Sequence, residues 1–367
     1  MIAEQHKRGL ELKQQIGKVD SVANLFRQRL TEDANRPAAR RKVNGAWQDV
    51  TWSQLGAQGE ELAWGLIGLG LASGEMVSLI GSTRVEWTLC DLGVMHAGGI
   101  AVPIYHSNTP DEIQFILENC GAVMVFAENA TQLKKLQEKK DKLPKIRKVI
   151  LMEGAGDAND SWVLSLSQLV EAGRAAKARS PDEMKTRLAA QKRSDLHTIL
   201  YTSGTTGVPK GVMITNDNMI FAAECTVGTG LLNRDDSHLL FLPFAHSFAQ
   251  IIKCTWFGSG LTQIFAESVD KLVDNAQESG PTALAAVPRV FEKAFNNVVA
   301  NGMAQSGLKG RLFKMAMREF EAYCKAKEAG HSYSSFGWTI AKKMVFPKIQ
   351  ARLKARFGGR ITHFISG

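Results

Sequence analysis

Apolar residues recur along the chain at two spacings, and these predict alternating helices and strands. In 51–71, leucines recur at helical intervals from Leu55 to Leu69, and Thr51 precedes them as a suitable N-cap. The run EMVSLIG (75–81) that follows is short and apolar, as is typical of a buried strand. This part of the sequence therefore predicts a helix followed by a buried strand.

The same alternation continues through the rest of the chain. Predicted strands lie at 100–105, 122–128, 148–152, 196–204, 212–215, 238–244, 282–289 and 360–367. Predicted helices lie at 83–99, 111–121, 216–230 and 290–299. Alternation of this kind is typical of a mostly parallel sheet covered by helices. We therefore predict an α/β fold with two β/α subdomains, each with a mostly parallel sheet flanked by helices.

The two predicted halves meet near residues 200–215. The sequence divides into an N-terminal helical arm (1–45), a first β/α subdomain (46–200), a junction loop (201–215) and a second β/α subdomain (216–367) with a helical insertion at about 300–345. Open α/β sheets bind ligands beyond the carboxyl ends of their strands, so a ligand site is expected at this junction.

Composition places the chain among globular proteins. Its 367 residues are 44% hydrophobic and 22% charged, and they suit two lobes or one large α/β domain. No stretch approaches the ~20 consecutive apolar residues that span a bilayer. The polar start, MIAEQHKRGLELKQQ, lacks the apolar middle of a secretory signal. The 5 cysteines form no CxxC pair, as expected for reduced thiols, so we predict a cytoplasmic protein.

The net charge is +9, from 45 basic and 36 acidic residues. This excess favours anionic partners, and the basic residues concentrate in 134–148, 174–193 and 341–360. Solvated helix faces are the simplest interpretation of all three stretches. No basic sheet with interleaved aromatic residues and no zinc-finger pattern supports nucleic acid as a partner.

The junction reads YTSGTTGVPKG (201–211), which suits a phosphate site. Glycine lets the backbone curve and bring its N–H groups close to phosphate oxygens, and the hydroxyl side chains add uncharged donors. Lys210 supplies one cation for a polyphosphate. An exposed turn whose lysine contacts nothing is the simpler alternative.

The P-loop of nucleotide triphosphatases is excluded by the order of the residues. That loop needs glycine before its lysine, Ser or Thr after it, and a helix that begins there. Here Pro209 precedes Lys210, Gly211 follows it, and VMIT (212–215) predicts a strand.

The longer stretch YTSGTTGVPKGVMIT (201–215) resembles the signature loop of the adenylate-forming enzymes, which include acyl-CoA synthetases, adenylation domains and luciferases. The resemblance implies that the loop holds the β- and γ-phosphates of ATP while a carboxylate attacks the α-phosphate. It implies nucleotide contacts from Thr202, Ser203, Gly204, Thr205, Thr206, Gly207 and Lys210, a catalytic contribution from Lys210, and Thr202 as a magnesium ligand.

Other motifs extend the resemblance from about residue 20 onward. LPFAHSFAQ (242–250) resembles the family's histidine motif, which implies that His246 orients the acyl carboxylate or stabilises charge on the α-phosphate. AAVPRVFEKAFNNV (285–298) and the insertion 307–330 resemble the long-chain fatty acyl-CoA synthetases.

Residues that flank these motifs are candidates for acyl contacts, in addition to His246. They are Phe244, Phe248, Phe257, Val287 and Pro288, and for each of them a core role is the leading alternative. The other histidines have no metal-ligand spacing and are expected to be structural.

The sequence departs from the family pattern in two places. TNDN (215–218) has Asn216 where many members have histidine, which is expected to affect packing at a helix start. FISG (364–367) resembles the start of the loop that encloses adenine, and the residues for ribose, the hinge and the C-terminal lysine would follow it. We therefore expect this chain to be most of a large N-terminal domain that is inactive or very slow alone.

The resemblance implies ATP-dependent conversion of a long-chain fatty acid to acyl-AMP and then acyl-CoA, with Mg²⁺ as cofactor and CoA as co-substrate. Two alternatives stay open: adenylation of another carboxylic acid, and a non-catalytic module that binds nucleotide or acyl groups. Peripheral contact of the basic 341–360 stretch with the inner face of the membrane, and a homodimer, are further expectations.

Overall fold

The computed structural model describes residues 2–156, 160–202 and 208–367. The chain divides into two compact units, Met1–Val269 and Asp270–Gly367. The helices of the first unit are α1 (Ile2–Ile16), α2 (Val22–Glu32), α3 (Trp52–Gly68), α4 (Val85–His96), α5 (Pro110–Cys120), α6 (Ala130–Gln137), α7 (Leu166–Arg179), α8 (Glu183–Ala190), α9 (Asn216–Gly228) and α10 (Ser247–Ser259), with a 3₁₀ turn at Lys140–Lys142. Its strands are β1 (Pro37–Val43), β2 (Ala46–Thr51), β3 (Met76–Ile80), β4 (Ile100–Ile104), β5 (Met124–Ala127), β6 (Lys148–Leu151), β7 (Val163–Ser165), β8 (Leu196–Thr202), β9 (Lys210–Thr215), β10 (Ser237–Leu240) and β11 (Thr262–Phe265).

The second unit is mostly helical. Its helices are α11 (Leu272–Ser279), α12 (Pro288–Met303), α13 (Gly307–Glu328), α14 (Phe336–Ile340) and α15 (Phe346–Arg356), and a π-helical turn (Ala341–Val345) joins the last two. Its strands β12 (Ala283–Ala286) and β13 (His363–Ser366) pair in parallel.

A seven-stranded sheet in the first unit has the order β7-β6-β5-β3-β4-β8-β9. All its neighbouring strands are parallel except β8 and β9, which form an antiparallel hairpin at one edge. Helices α5 and α6 cover one face with the apolar residues Ile113, Ile116, Leu117 and Leu136. The carboxyl ends of the parallel strands therefore meet at one edge of this sheet, where ligand groups collect.

The other strands of the first unit run in the order β10-β11-β1-β2, with β1 parallel to β11 and antiparallel to β2. The predicted α/β class with mostly parallel sheets flanked by helices is confirmed. The subdomain boundaries at 45, 200 and 215 stay predictions. Among the described residues, no helix is long and apolar enough to cross a membrane.

Local signals in the sequence explain where several helices begin. Thr51 and Gln54 form a reciprocal capping box at α3, and Thr109 with Glu112 and Thr215 with Asn218 do the same at α5 and α9. Two predicted strands are shorter than expected. The strand in 238–244 ends at Leu240, and the strand in 282–289 ends at Ala286, because Pro288 begins a helix and has no N–H for a ladder.

A close helix crossing positions α3 against α7. A Cβ atom at Gly68 would lie 2.4 Å from the backbone oxygen of Ala172, and one at Gly173 would lie 2.6 Å from the backbone nitrogen of Gly65. Only glycine permits this approach.

A buried ion pair joins α4 to α10. Lys253 Nζ donates to Asp91 Oδ2 at 2.6 Å, and the two side chains are 1% and 0% exposed. Burial, together with the charge of Lys253, holds the pKa of nearby His197 well below its ordinary value. His197 is therefore neutral at physiological pH. Of Asp91 and His197, only Asp91 carries a charge that balances the cation of Lys253.

Removing one member of this pair is expected to destabilise the first unit strongly. Lys253→Met leaves the Asp91 carboxylate buried and unpaired, which costs about 3–5 kcal/mol, whereas Asp91→Leu combined with Lys253→Met is expected to restore most of that loss. Urea unfolding followed by tryptophan fluorescence measures both.

The exposed pair Arg27–Glu60, with side chains 41% and 35% exposed, provides the control. Glu60→Gln is expected to cost about 1 kcal/mol or less. An equal loss of unfolding free energy in Lys253→Met and Glu60→Gln would contradict a strongly stabilising role for the buried pair.

Candidate functional site

The candidate phosphate loop connects β8 to β9 at the edge of the seven-stranded sheet. Thr202 ends β8 and is opposite Lys210, the first residue of β9, in the antiparallel register. Both side chains are exposed. The predicted nucleotide contacts Ser203, Gly204, Thr205, Thr206 and Gly207 lie outside the described residues. The structure therefore fixes the two ends of the loop and places a hydroxyl and an ammonium group across from each other.

Lys210 is available for an anion. Within residues 2–156, 160–202 and 208–367, its ammonium group forms no ion pair. The next residue, Gly211, packs under Tyr201, since a Cβ there would lie 3.0 Å from the ring. The phenol of Tyr201 donates to Asn119 Oδ1 at 2.5 Å, and burial raises the pKa of Tyr201 to about 12. The base of the hairpin is thus held next to a cation that pairs with no carboxylate of the described residues.

His246 lies at the first turn of α10, shortly after β10 ends. It is the N-cap residue of this helix, and its Nδ1 accepts a hydrogen bond from the backbone N–H of Phe248 at 3.2 Å. Because Nδ1 accepts, the neutral ring carries its proton on Nε2. The side chain is exposed, so Nε2–H is a donor for an anionic oxygen from outside the protein.

Three hydrogen bonds hold the turn that carries His246. The side-chain amide of Gln250 donates to the Phe244 backbone oxygen at 2.6 Å, and the backbone N–H of His246 donates to that of Pro243 at 2.9 Å. The Thr83 hydroxyl donates to the backbone oxygen of Leu242 at 2.7 Å. The turn is therefore fixed both by its own helix and by the segment that follows β3.

An aromatic contact supports the same turn. The rings of Trp87 and Phe244 stack with their centroids 4.5 Å apart. Sequence reasoning missed Thr83, Trp87 and Gln250 as supporting residues. The available signal was that Thr83 lies two residues after the predicted strand 75–81, at the end where ligand-binding groups collect.

A cluster of charges fixes the segment after β3. Burial opposes the charge of Arg84, but hydrogen bonds to Glu153 and Glu86 raise the pKa of this guanidinium. Burial also opposes the charge of Glu86, while Arg84 lowers the pKa of that carboxyl overall. Glu128 accepts from the backbone N–H of Ser82 at 2.9 Å. These groups follow the carboxyl ends of β3, β5 and β6, and they hold the backbone that presents Thr83.

The acyl-contact candidates fall into two groups. Phe244 and Phe257 are 2% and 0% exposed and pack in the core, where Phe257 contacts Phe26, Trp52 and Trp256, so their core role prevails. Phe248 is half-buried beside His246. In the second unit, half-buried Val287 is the N-cap of α12 and exposed Pro288 is its first residue.

Asn216 has a structural position. It is buried, its Oδ1 accepts from the backbone N–H of Val22 at 3.1 Å, and its Nδ2 donates to the Lys192 backbone oxygen at 3.1 Å. This side chain links the start of α9 to α2, as expected for packing at a helix start. Among the described residues, no group of three or more His, Cys, Asp or Glu side chains is arranged to hold a metal ion. The cysteines are free.

Comparison with known proteins shows what the chain resembles. A family model described as AMP-binding enzyme matches residues 26–364. The long-chain-fatty-acid–CoA ligase FadD15 of Mycobacterium tuberculosis is 32% identical over 356 residues, which are 96% of this chain and 57% of that protein. The long-chain-fatty-acid–CoA ligase ACSBG2 of Xenopus laevis is 28% identical over 91% of this chain and 46% of its own length. The chain thus spans about half the length of the curated relatives it matches.

Solved structures show the same fold. The N-terminal domain of FACL13 from Mycobacterium tuberculosis aligns with a TM-score of 0.62 and 25% identity, over 75% of this chain and 64% of that one. The adenylation domain of a carboxylate reductase from Mycobacterium chelonae aligns with a TM-score of 0.67 and 18% identity, over 99% of this chain and 57% of that one.

The hydrogen bond from Gln250 to Phe244 is expected to keep the turn that carries His246 closed. Gln250→Ala removes the hydrogen bond to Phe244. This bond contributes about 1–1.5 kcal/mol to the free energy of local opening, so its loss makes amide exchange in residues 244–248 about five- to tenfold faster. Hydrogen–deuterium exchange measures this change. Gln114→Ala, which removes a surface hydrogen bond to Glu118 on α5, is the matched control and should leave these amides unchanged. Unchanged exchange in Gln250→Ala as well would contradict the prediction.

Proposed function

Because the chain belongs to the family of AMP-binding enzymes, we propose that it takes part in ATP-dependent activation of a long-chain fatty acid. The carboxylate oxygen attacks the α-phosphorus, the bond to the β-phosphate breaks, and acyl-AMP and pyrophosphate form. The thiolate of CoA then displaces AMP to give acyl-CoA. The observation that carries this proposal is 32% identity over 96% of the chain with a long-chain-fatty-acid–CoA ligase.

Lys210 contributes a fixed cation at the end of the β8–β9 hairpin. The ammonium group contacts the β- and γ-phosphates and stabilises the charge that pyrophosphate gains as it leaves. Thr202, opposite it in the register, adds a hydroxyl on the other side of the loop entrance. Residues 203–207 supply the remaining nucleotide contacts in this proposal.

His246 orients the reacting carboxylate. Its Nε2–H donates to a carboxylate oxygen or to the α-phosphate, while Nδ1 stays fixed by the Phe248 N–H. Phe248, Val287 and Pro288 are the residues proposed to contact the acyl group.

The magnesium site fits the residues only in part. Magnesium retains several waters and binds through few protein oxygens together with substrate phosphates, and the exposed Thr202 hydroxyl is the protein ligand proposed here. When bound, magnesium neutralises the triphosphate. The described residues supply no carboxylate cluster for it.

A cytoplasmic location and a homodimeric assembly also belong to this proposal. Fractionation of cells and sedimentation of the purified protein measure them directly.

The proposal predicts that Lys210→Ala weakens ATP-dependent chemistry. Loss of a charge-assisted hydrogen bond of about 1.5–3 kcal/mol lowers kcat/KM for ATP about 10- to 100-fold. Fatty-acid-dependent pyrophosphate release is measured on the product of the complete reading frame that contains residues 1–367. Lys134→Ala, at another exposed and unpaired lysine of the described chain, is the matched control.

Three outcomes would contradict parts of the proposal. Equal activity of Lys210→Ala and Lys134→Ala would remove Lys210 from the phosphate site. Pyrophosphate release with aromatic or short acids only would overturn the long-chain substrate and support adenylation of another acid. ATP binding without pyrophosphate from any acid would support a binding module.

A further inference from the structure

A cavity of about 300 Å³ lies in the first unit, at the amino ends of two neighbouring parallel strands. It is lined by Ile100, which begins β4, and by Leu196 and His197, which begin β8. Thr202, at the entrance of the phosphate loop, ends the same strand five residues after His197, about 17 Å away at ~3.3 Å per residue. The cavity is therefore separate from the candidate site at the carboxyl ends of the strands.

Two helices end at this cavity. Met95 near the end of α4 lines it, as do Ala190, the last residue of α8, and Gln191, the C-cap of α8. The last carbonyl groups of a helix lack partners within the helix and carry partial negative charge. The side chain of Gln191 donates to the Met95 backbone oxygen at 2.8 Å, and Arg187 donates to that of Ala97 at 2.9 Å. The helix ends therefore favour cations and N–H donors here.

One carboxylate of the lining has no ion-pair partner among the described residues. It belongs to Asp195, whose Oδ2 accepts the backbone N–H of Lys192 at 2.8 Å. Arg187 also lines the cavity, but its charge is balanced by Glu183 at 2.8 Å. Arg193 is held by ion pairs to α9, and the Lys192 side chain is not part of the lining. The lining thus has an excess negative charge on Asp195, beside the negative ends of two helices.

A buried histidine is also part of the lining. His197 is 3% exposed, and its Nε2 has no hydrogen-bond partner within the part of the chain that the structure describes. Its neutral ring has one unprotonated nitrogen, which accepts a hydrogen bond from an N–H donor. Buried polar groups are normally hydrogen-bonded, so a ligand that supplies this donor would satisfy an otherwise unfavourable position.

The remaining lining is largely apolar and sets the size of a ligand. Ala23, Met95 and Ile100 are buried, and Leu196 is half-buried. A volume of about 300 Å³ holds about ten water-sized groups at ~30 Å³ each. An anion would meet a carboxylate and two negative helix ends. The described residues offer no cluster of three or more His, Cys, Asp or Glu for a metal ion. The chemistry therefore favours an organic cation with N–H groups and a short hydrocarbon part.

We propose that this cavity binds a small organic ammonium ion. The ammonium group donates to the Asp195 carboxylate and to the His197 ring, and the hydrocarbon part packs against the apolar lining. The site needs neither Lys210 nor His246. Ammonium binding is therefore independent of the proposed ligase activity and is measured without ATP, CoA or fatty acid.

The test is a ligand-observed NMR titration of the product of the complete reading frame that contains residues 1–367. The probes are n-hexylammonium chloride and n-hexanol, which share a hydrocarbon chain and differ in charge. Hexylammonium is expected to bind about fivefold more tightly than hexanol, and less tightly at high salt, because its charge meets a partly exposed carboxylate. Equal affinity for the two probes, or no binding of hexylammonium, would overturn the proposal.

Asp195→Asn tests the charge of the cavity. The amide oxygen can still accept the Lys192 N–H, so the turn is retained while the negative charge is lost. Binding of hexylammonium is expected to weaken about fivefold, with no change for hexanol. The matched control is Asp141→Asn, at an exposed aspartate of the first unit outside the lining. An equal loss in both variants would contradict the proposal, since it would show a response to net charge alone.

Ala190→Phe tests the location of the site. Ala190 is exposed at the end of α8, so its replacement leaves the core intact while the new ring occupies the cavity. Both probes are expected to bind roughly tenfold more weakly, because the ring overfills the space for the hydrocarbon part, with an unchanged circular dichroism spectrum. Ala189→Phe, at the exposed neighbour outside the lining, is the control. Unchanged binding in Ala190→Phe, or the same loss in Ala189→Phe, would place the probe elsewhere and overturn the proposal.

Discussion

The buried ion pair between Asp91 and Lys253 is the interaction on which the arrangement of the first unit depends. Asp91 lies on α4, which begins just after Thr83 and the carboxyl end of β3. Lys253 lies on α10, whose N-cap is His246. An unpaired charge at either position would be strongly unfavourable in the protein interior. The pair therefore fixes α10 relative to α4, and with it the position of His246 relative to the strand ends of the seven-stranded sheet.

The other contacts of the His246 turn also hold it in place relative to the strand ends. The Thr83 hydroxyl and the Trp87 ring reach the turn from the β3–α4 side, and Gln250 holds it from within α10. Arg84 and Glu128 in turn fix the backbone that carries Thr83. An exposed histidine with a fixed Nδ1 and an available Nε2–H is the result. This preorganisation suits a group that must orient a substrate carboxylate without spending free energy on its own ordering.

Much of the fold could be predicted from the sequence, because its signals are local. Capping residues such as Thr51 and Thr215 mark helix starts, and short apolar runs mark the parallel strands. The order of residue types in 201–211 and the motif around His246 identified the candidate site. The supporting contacts were not predictable, because their partners are far apart in sequence: Thr83 is 159 residues from Leu242, and Asp91 is 162 residues from Lys253. Periodicity also predicted the strand at 196–204 but not the cavity at its amino end, since α4 and α8, which end there, are far apart in sequence.

Detection of the acyl-adenylate tests the proposed activity most directly. The product of the complete reading frame that contains residues 1–367 is incubated with oleate, ATP and magnesium without CoA, and the mixture is analysed by mass spectrometry. The proposed reaction gives oleoyl-AMP and pyrophosphate in equal amounts, followed by oleoyl-CoA and AMP when CoA is added. ATP hydrolysis to ADP and phosphate, or ATP binding with no adenylate of any carboxylic acid, would contradict it.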